Sequence, residues 1–127
     1  YDAQVQDWIS LERGDPLLPL EGLLVYSDRQ ISLPLVLKES QGNATVNMSK
    51  GWNLVGIPGG REISAAEGLA NLSPDWVSLL IFNSSSKSYE PAIIPGANGT
   101  HSDSRTLSPY SSFWVYMNRD GILGLSS

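Results

Sequence analysis

Phe113-Trp114-Val115-Tyr116-Met117, then Asn118-Arg119-Asp120-Gly121, then Ile122-Leu123-Gly124-Leu125, is the stretch from which the rest of the chain is read. Aromatic and β-branched residues suit a pleated strand, and a glycine four residues into the link suits a short turn, so the segment predicts a β-hairpin. Leu17-x-Pro19, Val25-Tyr26, Arg29, Leu33 and Leu35 match Leu107-x-Pro109, Val115-Tyr116, Arg119, Leu123 and Leu125 at one constant spacing. Leu23 and Leu24 fall opposite Phe113 and Trp114, which keeps the apolar character. Two copies of one hairpin are expected, a partial internal repeat.

The copies are unequal. A complete unit begins at Gly51 upstream of the second, whereas only a Trp8-centred strand, Val5 to Leu11, precedes the first. Residues 1–40 therefore read as a half repeat and 51–127 as a full repeat module, together one domain over 1–127. A repeat that cannot cover its own apolar face must bury it against something. Either the two units share one core, or the orphan half is completed by a strand from the next molecule. Val5, Trp8, Ile9 and Leu11 are the candidate assembly residues, with the Pro34-bearing strand Ile31 to Leu37 as a second edge, since proline withholds a ladder donor.

Further strands are expected at Gly22–Tyr26, Asn43–Ser49, Trp52–Ile57, Lys87–Ile94 and Trp76–Phe82, the last read as buried on both faces. One segment reads as helix, near residues 64–71, where Ser64-Ala65-Ala66-Glu67 forms a capping box. About nine short strands and one short helix predict an all-β chain, a two-sheet β-sandwich.

Composition bounds the function. The 127 residues are 41% hydrophobic and 9% aromatic, ordinary values for one folded domain. Apolar runs such as Leu79 to Phe82 are far short of the roughly 20 residues of a spanning helix, so no membrane span is expected. A net charge of −5 with scattered acids argues against nucleic acid as a partner. Without cysteine there are neither disulfides nor thiolate metal sites, and the stability of a secreted chain must come from its core, a metal or its neighbours in an assembly. No signal-like segment stands at Tyr1, so an exported chain would be the processed form.

Five Asn-x-Ser/Thr sequons begin at Asn43, Asn47, Asn71, Asn83 and Asn98, among only seven asparagines. Chance predicts roughly one. Ser-rich turns produce sequons incidentally, but the alternation of Asn43 to Ser49 places Asn43 and Asn47 on one strand face roughly 13 Å apart, opposite Ala44, Val46 and Met48. Asn83 and Asn98 lie in Ser/Gly-rich loops, and Pro74 weakens the Asn71 sequon. N-linked glycans imply an exported, extracellular protein.

Gly51-Trp52-Asn53-Leu54-Val55-Gly56-Ile57-Pro58, the Trp76 strand, Tyr89-Glu90-Pro91 and the closing Leu107-Ser108-Pro109 with Phe113 to Met117 together resemble a repeat module of prokaryotic, especially archaeal, cell-surface, S-layer-like and sheath-like proteins. The resemblance spans residues 51 to 125 plus the half copy at 8 to 37. It departs from the family pattern at Ser111-Ser112 and in the loop 95–106. It implies an envelope location more firmly than a task. Physically, Trp52, Trp76, Trp114, Tyr116 and Tyr26 read as packing residues, with Trp52 and Trp114 anchoring two sheets, and Asn53 as a partner for local backbone at a strand start.

A search for chemistry ends without a site. His101 lies in a loop with Ser102, Asp103 and Ser104, but residues so close on one loop rarely converge as a triad. The same loop lacks EF-hand spacing, and Gly56 to Arg61 lacks the Lys-Ser/Thr of a phosphate loop. The expectation is a non-enzymatic, glycosylated structural protein without cofactor or metal, polymerising with copies of itself at the cell surface. The alternative is a carbohydrate- or protein-binding module using exposed aromatics such as Trp8, Tyr89 or Tyr110.

Overall fold

A computed structural model describes residues 1–17, 20–30, 32, 45–57, 61–109 and 111–124. In chain order the strands are β1 (Thr45–Met48), β2 (Gly51–Val55), β3 (Ile63–Ser64), β4 (Trp76–Asn83), β5 (Ser88–Tyr89), β6 (Thr106–Leu107), β7 (Phe113–Met117) and β8 (Gly121–Gly124). One helix, α1 (Ala65–Gly68), follows β3, and 3-10 turns occupy Ala70–Leu72 and Gly99–His101. All ladders are antiparallel: a four-stranded sheet ordered β2-β7-β4-β5, and two-stranded sheets β1-β8 and β3-β6. The fold is all-β.

The alternation in β7 organises it. Phe113, Val115 and Met117 are buried while Trp114 and Tyr116 point to the other face. Val55, Leu79, Val115 and Met117 from the large sheet join Met48 and Leu123 from β1 and β8 in one apolar cluster, the layering expected of a sandwich. Each such fully buried side chain contributes roughly 1.5–3 kcal/mol relative to exposure. Ile63, Leu69, Leu72 and Leu107 close the end of the core. The Ser64 hydroxyl accepts the Glu67 N–H at 3.2 Å and starts α1 where the capping pattern placed it. Glu67 does not complete the box and instead pairs with Arg61.

Several expectations are corrected. Residues 113–117 and 122–124, the described part of the expected hairpin, do not pair with each other. Both edges of β7 are filled, by β2 and β4, so β8 crosses to pair with β1. The link is held on the way, Asn118 N–H donating to the Asp75 carbonyl and Lys50 N–H to Asp120 Oδ1, each at 2.8 Å. The strand Trp76–Phe82 is not buried on both faces: Val77 and Phe82 are exposed, and the register shifts between Trp76 and Ser78. Its sheet is antiparallel with one face on the core, which leaves alternate residues open. Of Lys87–Ile94 only Ser88–Tyr89 forms a strand, with Ile93 bridging Leu79. Val5–Leu11 and Gly22–Tyr26 form no strand, only the isolated bridges Asp2–Asp7 and Glu21–Val55. The first copy of the duplicated hairpin, in its described part, therefore does not share the fold of the second. The Pro34 strand lies outside the described residues.

Candidate functional site

The outer edge of β2, the side not paired with β7, is where the amino-terminal segment meets the module. Backbone pairing is brief there. Gly22 N–H donates to the Leu54 carbonyl at 3.1 Å and Gly56 N–H to the Leu20 carbonyl at 2.8 Å. A Cβ on Gly22 would stand 2.7–2.8 Å from Leu54 and Val55, so only glycine lets the chains approach this closely. One step along β2 a side chain takes over: Gln6 Oε1 accepts the Trp52 N–H at 3.0 Å and Gln6 Nε2 donates to the Trp52 carbonyl at 2.9 Å. The Asp2–Asp7 loop presents this carboxamide, with Gln6 itself left-handed at φ 54. Gly51, at φ 99, leaves the room, since a Cβ there would lie 2.7 Å from Gln6 Oε1.

On the outer face of the same sheet the rings meet edge to face. Tyr1 contacts Trp8 at 5.3 Å and Trp114 at 4.8 Å; Trp8 lies 5.7 Å from Trp114, and Trp52 6.4 Å from Trp114 and 5.1 Å from Tyr116. Such pairs each add about 0.5–1.5 kcal/mol beyond area burial. Tyr1, Trp52, Leu80, Tyr89 and Trp114 enclose a recess of about 240 Å³. Trp8, Ile9, Leu11, Leu24, Val25 and Tyr26 line an open groove of about 680 Å³ beside it.

The residues singled out from sequence separate clearly. Trp76 and Asn53 are buried, and the Asn53 carboxamide bonds Ser49, Gly51 and Val115 backbone groups. Trp52 and Trp114 are half-buried on the outer face, under the amino-terminal segment rather than between two sheets. Tyr26, expected to pack like Tyr116, is 93% exposed: its stretch lacks the two flanking strands that β7 has. Val5, Trp8, Ile9 and Leu11 are all exposed. Gln6, Gly22 and Gly51, which define the edge, were not singled out; the GWN opening contains Gly51, but nothing local marks Gln6.

The loop holding His101 is braced by its own polar groups. His101 Nδ1 lies 2.7 Å from the Ala92 carbonyl, Asp103 Oδ2 accepts the Gly96 N–H at 3.0 Å, and Ser102 Oγ meets Ser104 Oγ at 2.7 Å. Arg105 reaches the Pro91 and Thr100 carbonyls at 2.6 and 2.9 Å and Glu90 at 2.8 Å. Among the described residues no three His, Asp or Glu side chains gather as metal ligands, and no helix is long and apolar enough to cross a membrane.

Of the sequon asparagines, Asn47, Asn71 and Asn98 are exposed and Asn83 is half-buried. Asn71 Nδ2 donates to the Gly124 carbonyl at 3.1 Å, and Asn83 Oδ1 accepts the Ser85 and Ser86 N–H groups. Asn43 lies outside the described residues. No family, curated protein or solved structure matches the chain.

Proposed function

We propose that the chain is a non-enzymatic, N-glycosylated structural subunit that assembles with copies of itself into an extracellular layer, sheath or filament of a cell envelope. One observation carries the reading. Large apolar side chains from Val5 to Tyr26 stand exposed beside a strand edge that is capped by one carboxamide and one short bridge. Exposed apolar surface of this kind marks interaction sites, and an edge held by so few main-chain bonds can be opened to a further strand. The sequon excess and the resemblance to surface-protein modules support the location.

Negative-stain imaging and sedimentation of the native protein, with and without residues 1–12, test the proposal. Ordered assemblies that vanish on deletion, with the far-ultraviolet spectrum kept, are expected. A native protein that stays monomeric at every concentration overturns it. The recess among Tyr1, Trp52, Leu80, Tyr89 and Trp114 favours a second reading, a carbohydrate-binding module, because half-exposed rings suit stacking on a sugar. Glycan-array binding by a monomer would select it.

A further inference from the structure

The pairing at the outer edge of β2 stops where its register says it should continue. In an antiparallel ladder the hydrogen-bonded pairs recur every second residue. Gly22 faces Leu54 and Leu20 faces Gly56 across the Glu21–Val55 bridge, so the next hydrogen-bonded pair along the edge is Leu24 with Trp52. The chain instead turns away at Leu23, whose N–H donates to Ser112 Oγ at 3.3 Å. The Gln6 carboxamide, one donor and one acceptor, fills the place that the Leu24 peptide groups would take.

The displaced segment has strand character. Leu23 to Tyr26 is the sequence twin of Phe113 to Tyr116 in β7, which pairs along the whole other edge of β2. In the observed state the twin is unpaired, with Val25 60% exposed where Val115 is fully buried.

We propose that this edge is a two-state latch: either the Gln6 carboxamide or the main chain of Leu24 occupies Trp52, and zipping of residues 22–26 along β2 releases the amino-terminal arm. The exchange swaps one pair of hydrogen bonds for another, and relief of the left-handed Gln6 works against the loss of the Tyr1 and Trp8 ring contacts with Trp114 as the arm leaves. The freed arm carries Val5, Trp8, Ile9 and Leu11. Its use as the joining segment rests on the assembly reading above; the exchange itself does not.

Gln6→Leu keeps the bulk and removes both bonds. In this variant the Leu24 amide is expected to gain about tenfold or more hydrogen-exchange protection while Trp52 stays protected. Adding Leu24→Pro removes the Leu24 N–H that would bond the Trp52 carbonyl and sets a pyrrolidine ring on the pairing edge, so residues 22–26 no longer zip. The Trp52 amide, whose acceptor in that state is the Leu24 carbonyl, is then expected to lose protection, whereas Leu24→Pro alone leaves it protected by Gln6. A Gln6→Leu variant in which Leu24 exchanges as in the parent overturns the latch. Sedimentation of the same samples reads assembly separately: protection without a change in association threshold keeps the latch and removes its link to assembly.

Discussion

Asn53 grips Ser49 from both ends of its carboxamide, Oδ1 accepting the Ser49 N–H at 2.9 Å and Nδ2 donating to the Ser49 carbonyl at 2.8 Å. The side chain is buried, so it satisfies the turn between β1 and β2 where water does not reach it. Asn53→Ala strands these groups and is expected to lower stability by about 2–3 kcal/mol, read from the urea midpoint. Asn98→Ala, exposed and without a capping bond, serves as the control and should stay within about 0.5 kcal/mol.

Gly51 and Gln6 should be energetically coupled. Gly51→Ala places a side chain on a left-handed residue and against Gln6 Oε1, for a cost of about 1–2 kcal/mol. In a Gln6→Ala background the clash is gone and only the backbone strain remains. A double-mutant cycle is expected to show about 0.5–1 kcal/mol of coupling, and strict additivity would count against the contact.

The duplicated tyrosines should behave differently. Tyr116 packs against Trp52 on a central strand, and Tyr116→Ala is expected to cost about 2 kcal/mol. Tyr26→Ala removes an exposed ring and should change stability by less than about 0.5 kcal/mol. Thermal melts of the two variants make the comparison.

Glycan occupancy should follow which exposed carboxamides are unengaged. Peptide mapping by mass spectrometry after expression in a glycosylating host is expected to find sugar at Asn47 and Asn98 and none at Asn71, whose amide nitrogen is engaged with Gly124 and whose sequon precedes Pro74. Modification of Asn71 with Asn98 bare would reverse this order.

What the sequence disclosed was local. The Ser64 cap, the alternation in Phe113–Met117 and the all-β class rest on short-range chemistry, and each has its counterpart in the structure. Pairing partners are set by competition among distant edges. Nothing within Asn118-Arg119-Asp120-Gly121 announces that β4 will already hold the edge of β7 that a hairpin needs. Hydrophobicity likewise says that Trp52 and Trp114 require cover but not on which face. Tyr26 shows the limit of a repeat: the same residues without the same neighbours do not make the same strand. Gln6 was invisible because a carboxamide substituting for a peptide group has no signature apart from its placement.

The central position of β7 also orders events during synthesis. β2 and β4 leave the ribosome before β7, yet each finds its long partner only in residues 113–117. A nascent polypeptide therefore carries Val55 and Leu79 without their sheet partner until residues 113–117 emerge, and the main sheet closes in one step when the missing middle strand arrives.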